Sequence, residues 1–295
     1  MEDAPASRRA SLAEFAAAKV NLTLEIKGRR ADGYHELESL VMFADFGDRL
    51  HLRPGGSLSV TVDGPFAAAL GDGDNLVERA AKAYAAAFGG EAGGAFHLVK
   101  TLPVAAGLGG GSADAAAALR LLMRRHSAPG DLAALLPVAR EIGADVPCCL
   151  YSQAALMTGI GERLHRLDAL PPIPALLINP LQPLATRDVF RELAAAPLAE
   201  ADCPPWVPHF ETVADLLDYT QARRNDLEPP ALRLLPDIAE VLAALSAASG
   251  ALLCRLSGSG PTCFALFAEM EEAEAAAGII AAGHPEWWVQ PVRLS

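Results

Sequence analysis

A glycine-rich segment is the strongest chemical signal in this sequence. It reads Pro103-Val104-Ala105-Ala106-Gly107-Leu108-Gly109-Gly110-Gly111-Ser112-Ala113, between an apolar run and an Ala/Leu-rich segment. A loop without side chains can bring backbone N–H groups against a ligand, and a helix that begins there adds unpaired N–H donors. Ser112 has the side chain that helix N-caps prefer. The segment therefore predicts a site for nucleotide phosphates, although the same glycines would also permit tight packing alone.

The loop differs from three familiar phosphate-binding loops. No lysine follows its glycines, as a Walker A loop requires. The spacing of a dinucleotide fingerprint fails at Ser112, and no acidic residue follows at a strand end about 20 residues later. The glycine-rich hairpin of protein kinases joins two strands, whereas this segment leads into a predicted helix. The sequence therefore disfavours a dehydrogenase and indicates another kind of phosphate site.

Two charged residues have the chemistry that phosphoryl transfer needs. Asp145 stands in a predicted loop before a proline, where an ionised carboxylate could orient a hydroxyl and accept its proton. Such an aspartate also commonly serves as a turn or cap residue. Lys19 interrupts an apolar run, so it requires either a partner or access to water. A pair with Asp145 would keep both groups charged, and Asn21 shares the strand face of Lys19.

Strand and helix patterns alternate around these residues. We expect helices over residues 74–88, 112–126, 131–142, 212–219 and 234–246, and a last helix after 269. Pro137 should kink or split the third of them. We expect strands over 18–26, 38–46, 48–52, 58–62, 96–104, 156–159, 175–178, 252–257, 262–267 and 287–292. A proline-rich stretch near residue 171 divides the chain into predicted domains 1–165 and 166–295.

Composition limits the partners of the chain. A net charge of −12 with 6% aromatic residues disfavours nucleic acids and anionic membrane surfaces. No run reaches the roughly 18 apolar residues that span a bilayer, and the polar start is unlike a secretory signal. Five cysteines, an odd number without Cys-x-x-Cys spacing, indicate reduced thiols, and no ligand cluster predicts a protein-built metal site. We therefore expect a cytoplasmic protein with a small-molecule ligand.

Five segments, in order along the chain, resemble the GHMP kinases, named for galactokinase, homoserine, mevalonate and phosphomevalonate kinases. The glycine-rich loop resembles their phosphate loop, and residues 256–264 resemble their third motif. The segments Ala-Lys-Val-Asn-Leu (18–22), Ala-Asp-Gly-Tyr-His (31–35) and Gly-Ala-Asp-Val-Pro (143–147) resemble one branch of the superfamily. That branch phosphorylates a polyol linked to cytidine diphosphate on the non-mevalonate route to isoprenoids. The resemblance extends over about residues 16–267.

The resemblance implies an α+β fold of two domains. The first would be a ribosomal-protein-S5-like α/β domain and the second a ferredoxin-like domain, with the active site in the cleft between them. It implies ATP-dependent phosphorylation of a hydroxyl to the 2-phosphate, with Mg²⁺ entering as the ATP complex. We expect a monomer or a weak homodimer.

The resemblance also assigns roles to individual residues. Asp145 would be the general base and Lys19 its partner, next to the acceptor oxygen or the γ-phosphate. The loop over 103–113 would hold the triphosphate, with the Ser112 hydroxyl on phosphate or magnesium. Asn75 would lie beside the adenine, and it is also a suitable helix N-cap.

The remaining implied residues would bind the phosphate acceptor. An aromatic ring such as that of Tyr34 can stack on a cytosine, and the imidazole of His35 can bond its edge. Taken alone, Tyr34 fits packing better and His35 fits the surface better, whereas Phe190 equally fits a core position. A Gly-Ser-Gly segment equally fits a β-turn. The full implied set is Asn21, Tyr34, His35, Thr186, Phe190, Gly258, Ser259 and Gly260.

Two other functions are compatible with parts of the sequence. Another GHMP kinase, of the homoserine or mevalonate type, would share the loop but has no reason for the Ala-Asp-Gly-Tyr-His segment. A nucleotide-binding protein without catalysis would not require both Lys19 and Asp145. The loop also departs from the family at Val104-Ala105-Ala106, where extra β-carbons should stiffen its entrance.

Overall fold

The structure is a computed structural model that describes residues 11–71, 75–89, 93–126, 131–167, 170–198 and 206–295. The strands are β1 (Leu12–Asn21), β2 (Glu25–Arg29), β3 (His35–Arg53), β4 (Leu58–Asp63), β5 (Gly94–Val99), β6 (Ala155–Gly159), β7 (Arg163–Arg166), β8 (Ile173–Asn179), β9 (Leu253–Leu256), β10 (Cys263–Leu266) and β11 (Trp288–Leu294). The α-helices are α1 (Leu76–Phe88), α2 (Gly110–Arg125), α3 (Leu136–Ile142), α4 (Val146–Tyr151), α5 (Thr186–Leu193), α6 (Val213–Gln221), α7 (Glu228–Leu234), α8 (Asp237–Ser246) and α9 (Met270–Gly283).

The long strand β3 organises the first half of the molecule. It pairs antiparallel with β1, β2, β5 and β6, while β4 runs parallel to β5 and β7 pairs with β6. Helices α1 to α4 pack on this sheet around one apolar core. The alanines of α2 favour a helix and, having small side chains, let it lie close to β1.

The second half contributes strands in the order β11-β8-β10-β9 to a sheet that is continuous with that of the first half. The apolar faces of α5, α7, α8 and α9 pack against one another and against this sheet. Strand β11 also joins β3, where Phe43 and Ser295 exchange backbone hydrogen bonds of 3.0 and 2.9 Å. The expected α+β class is confirmed, while the predicted division between residues 165 and 166 stays a prediction.

Several elements differ from those that the sequence pattern predicts. The two strands expected over 38–46 and 48–52 are one strand, β3. It remains continuous because Gly47 has no side chain: a Cβ there would lie 2.2 Å from Ala16 O on β1. Helices α4, α5 and α7 were not predicted. The expectation for Pro137 is confirmed, since a 3-10 helix ends at Leu135 and α3 begins with this proline in its first turn.

The helix that follows the glycine-rich loop begins earlier than predicted. Strand β5 ends at Val99, and α2 begins at Gly110 with Gly109 as its N-cap. Gly109 has a φ of 64°, a left-handed conformation that glycine adopts without strain. Ser112 therefore lies in the first turn and is not the N-cap, which corrects the prediction. Predictions for residues 1–10, 74, 129–130 and 203–205 lie outside the described residues.

Candidate active site

A cleft of about 500 Å³ brings together most of the residues predicted to form a site. Strand β1, the glycine-rich loop, the turn before α4, helix α5 and the turn after β9 each contribute to it. The predicted residues that line it are Lys19, Asn21, Pro103, Val104, Ala105, Ala106, Gly107, Gly109, Gly110, Gly111, Ser112, Asp145, Thr186, Phe190, Gly258 and Ser259.

Six predicted residues do not line this cleft, and two of them, Tyr34 and His35, line a second pocket described below. Leu108 and Ala113 are buried behind the glycine-rich loop. Gly260 is buried in the turn after β9. Asn75 is the N-cap of α1, where its side chain accepts a 2.9 Å hydrogen bond from Val77 N. Its expected role as a cap is therefore confirmed, and its place beside adenine stays a prediction.

Lys19 and Asp145 form an ion pair in the cleft. The distance from Lys19 Nζ to Asp145 Oδ1 is 2.9 Å. Lys19 is buried, whereas 39% of the Asp145 side chain is exposed at the N-cap of α4. Burial alone would lower the pKa of Lys19, but the Asp145 carboxylate reverses that effect and the net pKa is raised. Lys19 is thus a permanent cation beside a carboxylate that a ligand can reach.

The second half of the chain holds the glycine-rich loop in place. Ser257 Oγ donates to Gly107 O at 3.1 Å, and Thr262 N donates to Ala106 O at 3.2 Å. Gly107 has a φ of 74°, and a Cβ on it would lie 2.5 Å from Ser257 O. From the other side, Lys19 N donates to Leu108 O at 2.9 Å. These contacts fix the loop relative to Lys19 before any ligand binds.

A buried charge cluster under the loop was not predicted from the sequence. Lys100 Nζ bonds Asp48 Oδ2 and, at 2.8 Å, Asp114 Oδ2. Asp48 Oδ1 also accepts from the backbone nitrogens of Thr101 and Leu102. A Cβ on Gly110 would lie 3.1 Å from Lys100 Nζ, so the cluster touches the start of α2. The cluster therefore links the end of β5 to the start of α2 on either side of the loop.

The two carboxylates of this cluster are not equivalent. Asp114 Oδ1 is buried without a hydrogen-bond partner among the described residues, whereas both Asp48 oxygens are satisfied. Burial raises the pKa of Asp114 to about 7, and the attraction of Lys100 offsets only part of that effect. Asp114 was visible in the Gly-Gly-Ser-Ala-Asp segment as a charge within an alanine-rich helix, which could have signalled a buried partner.

Tyr34 and His35 line a second pocket beside the cleft. It shares Leu37, Ile160 and Phe190 with the first, so the two form a continuous groove. The ring centroids of His35 and Phe190 are 5.0 Å apart, and Tyr34 is 59% exposed. Burial, with the charge of Arg29, lowers the pKa of His35, so the imidazole is neutral near pH 7.

Polar contacts within each half hold the residues between these pockets in place. Thr186 Oγ1 lies 2.8 Å from Ser259 Oγ. Asn21 Nδ2 donates to Ser39 Oγ at 2.7 Å, and Asn225 Nδ2 donates to Gly258 O at 2.8 Å. The turn at Gly258 and Ser259 is therefore anchored in the groove, as a β-turn that also lines the cleft.

Two cysteines beside Lys19 are not reactive. Burial raises the pKa of Cys148 to about 12 and that of Cys149 above its ordinary value, so neither is a thiolate at neutral pH. Across the described part of the chain, no three His, Cys, Asp or Glu side chains are grouped so that they could hold a metal ion. Within the same residues, no helix has the length and apolar character needed to cross a bilayer.

This fold and its glycine-rich cleft define a GHMP kinase. The model of the GHMP kinases N terminal domain matches residues 75–153, and that of the GHMP kinases C terminal domain matches residues 207–285. A relative from Bradyrhizobium diazoefficiens, named 4-diphosphocytidyl-2-C-methyl-D-erythritol kinase, is 51% identical over 97% of this chain and 98% of its own length. The chain belongs to the 4-diphosphocytidyl-2-C-methyl-D-erythritol kinase family.

Solved structures support the same assignment. A crystal structure of 4-(cytidine 5'-diphospho)-2C-methyl-D-erythritol kinase matches with a TM-score of 0.74 and 35% identity, over 96% of this chain and 99% of that one. Homoserine kinase from Cytophaga hutchinsonii matches with a TM-score of 0.70 at 21% identity, over 100% of this chain and 97% of its own. The match to homoserine kinase shows a shared fold only. The higher sequence identity to 4-(cytidine 5'-diphospho)-2C-methyl-D-erythritol kinase favours that enzyme over the homoserine type.

Proposed function

We propose that this chain transfers the γ-phosphoryl group of MgATP to the 2-hydroxyl of 4-diphosphocytidyl-2-C-methyl-D-erythritol. The observation that carries the proposal is the Lys19–Asp145 pair, which lies between a glycine-rich loop and a pocket lined by aromatic side chains. One groove thus offers a phosphate cradle, a reactive carboxylate and a base-sized pocket in that order. The substrate named for its relatives has its parts in a matching order.

The loop over residues 103–113 is the proposed binding site of the ATP triphosphate. Its glycines leave backbone N–H groups accessible, and the N-terminus of α2 attracts negative charge. The Ser112 hydroxyl, in the first turn of α2, is the proposed ligand of a phosphate oxygen or of the Mg²⁺ that enters with ATP. Asn75, at the N-cap of α1, is placed beside the adenine in this proposal.

Asp145 is the proposed general base. Phosphoryl transfer depends on positioning and charge stabilisation more than on a strong base, so an ordinary carboxylate suffices. It would accept a hydrogen bond from the acceptor hydroxyl and take its proton as the new P–O bond forms and the bond from the γ-phosphorus to ADP breaks. Lys19 would hold the carboxylate in position and stabilise the negative charge that develops on the transferred group.

The acceptor would lie along the rest of the groove. Tyr34, His35 and Phe190 would enclose the cytosine, with His35 bonding its edge. Asn21 and Thr186 would contact the polyol, together with the turn formed by Gly258, Ser259 and Gly260. We also propose that the protein is cytoplasmic and is a monomer or weak homodimer. The proposal involves no nucleic-acid partner and no membrane partner.

A substrate panel tests the proposal. ADP release would be measured with ATP and each of four acceptors: the cytidylated polyol, free methylerythritol, homoserine and mevalonate. We expect turnover with the first alone, because the other three cannot occupy the aromatic pocket. Equal turnover with the polyol that lacks cytidine diphosphate would overturn the assignment. ATP binding without turnover of any acceptor would favour a nucleotide-binding protein.

A further inference from the structure

The pocket beside the cleft carries an excess of positive charge. Three arginines line it, Arg29, Arg187 and Arg191, and its lining contains no acidic residue among the described part of the chain. This local excess contrasts with the net charge of −12 for the whole chain. A concave site that is positive on an otherwise acidic protein attracts anionic ligands selectively.

Two of these arginines flank Phe190 on one face of α5. Arg187 and Arg191 are four residues apart, and Phe190 lies between them at the spacing that puts all three on one side of a helix. The helix thus presents an aromatic ring and two guanidinium groups to the same pocket. An aromatic surface flanked by cations suits a base that carries phosphates.

These guanidinium groups are only partly neutralised. Arg191 pairs with Asp188 at 2.9 Å, and Arg187 lies 3.8 Å from the same carboxylate, beyond hydrogen-bond distance. One carboxylate therefore faces two cations. Arg29 makes no ion pair with any residue that the structure describes. Donors remain available on all three side chains.

Arg187 and Arg191 line the second pocket, and Arg187 directly follows a residue of the cleft. Thr186, directly before Arg187, lines the cleft that contains Asp145, and Phe190 lines both pockets. A ligand with its base beside Phe190 and its hydroxyl at Asp145 must pass the start of α5. The part of the ligand that joins base to polyol therefore passes the start of α5, which carries Arg187, with Arg191 one helical turn further along.

We propose that Arg187 and Arg191 bind the diphosphate that links the nucleoside to the polyol, and that they select nucleoside diphosphates over nucleosides in this pocket. This inference rests on the proposed function, since it assumes that the acceptor occupies the groove. Guanidinium groups suit the role because their fork of N–H donors matches phosphate oxygens.

Steady-state kinetics with the cytidylated polyol test the inference. Each of Arg187→Ala and Arg191→Ala should raise the KM of this acceptor about tenfold, the effect of losing one charge-assisted hydrogen bond. The KM of ATP should not rise, because the proposed ATP phosphate loop does not line this pocket. Arg53→Ala is the matched control: Arg53 is exposed at the opposite end of β3 from His35, and the change in net charge is the same.

Salt dependence and direct binding separate a charge effect from a loss of structure. Rising ionic strength should raise the acceptor KM of the unaltered enzyme more steeply than that of the double variant. By calorimetry the unaltered enzyme should bind CDP more tightly than cytidine, and the double variant should bind the two alike. If the unaltered enzyme turns over the acceptor but the double variant retains its preference for CDP, this inference fails alone. If no acceptor is turned over, the proposed function fails first.

Discussion

The ammonium of Lys19 lies 2.9 Å from Asp145 Oδ1, and the carboxylate is the member of the pair that is open to the cleft. Because Lys19 is buried, its charge depends on the Asp145 carboxylate for stabilisation. The Asp145 side chain is partly exposed, so a ligand can contact it. The lysine therefore positions the carboxylate without shielding it. This asymmetry fits a pair in which one member supports the reaction and the other touches the acceptor.

Removal of either charge in this pair should lower kcat and leave the KM of ATP within a fewfold. We expect Asp145→Asn to reduce kcat by about 10²- to 10⁴-fold, the usual contribution of a positioned base. Lys19→Met should also reduce it. Because the two groups act as one unit, the double variant should lose no more than the worse single variant. The comparison includes the unaltered enzyme, the two single variants and the double variant. If the fold loss in kcat of the double variant equals the product of the two single losses, the residues act independently.

Gly107→Ala should destabilise the loop and weaken ATP binding. The substitution forces a side chain onto a left-handed residue and puts its Cβ 2.5 Å from Ser257 O, which should cost more than about 1 kcal/mol. Thermal unfolding and the KM of ATP measure the two effects. Gly278→Ala, an exposed helical position in α9 with open space around it, should leave both nearly unchanged or stabilise slightly. An unaltered KM in Gly107→Ala would remove the loop from ATP binding.

Asp114 should make stability fall as the pH rises. Its pKa is raised from 3.8 to about 7 in the folded protein, so the folded state binds the proton more tightly. The stabilisation is then complete below pH 4 and is lost as the pH rises through about 7. The melting temperature of Asp114→Asn, relative to the unaltered protein, should therefore increase from pH 5 to pH 8. Asp218→Asn, on an exposed position of α6, should show no such trend.

The acceptor KM should depend on pH through His35. Because burial and the charge of Arg29 lower the pKa of His35, its imidazole is neutral at neutral pH and above, where KM should be constant. Below that range protonation should raise KM, since an imidazolium cannot accept a hydrogen bond. His35→Gln should lack this acidic limb. A KM that decreases in acid would instead mean that the imidazolium binds the diphosphate.

The sequence was most informative where the residues of a functional motif are neighbours along the chain. The glycine-rich loop, Lys19 and Asp145 were identified from local patterns and the family resemblance, and the structure brings them into one cleft. The start of α2 was placed too late because Ser112 satisfies the usual N-cap preference. The left-handed Gly109 takes that place, and its conformation depends on packing that the sequence alone does not show.

Features that depend on distant partners could not be predicted. Lys100 is 52 residues from Asp48 and 14 from Asp114, so a charge within an alanine-rich helix could signal the burial of Asp114 but no local pattern identifies its partners. Likewise, the support of the loop by Ser257 spans 150 residues. In each case the residue types were visible, but the pairing is a property of the folded chain.

The backbone hydrogen bonds between Phe43 and Ser295 have a mechanical consequence. They join the C-terminal end of the chain, after β11, to β3. Both halves of the molecule therefore share one continuous hydrogen-bonded sheet. A hinge motion that separates the two halves at this point must break these hydrogen bonds. Ligand binding therefore does not have to bring the two halves together, because their backbones are already joined.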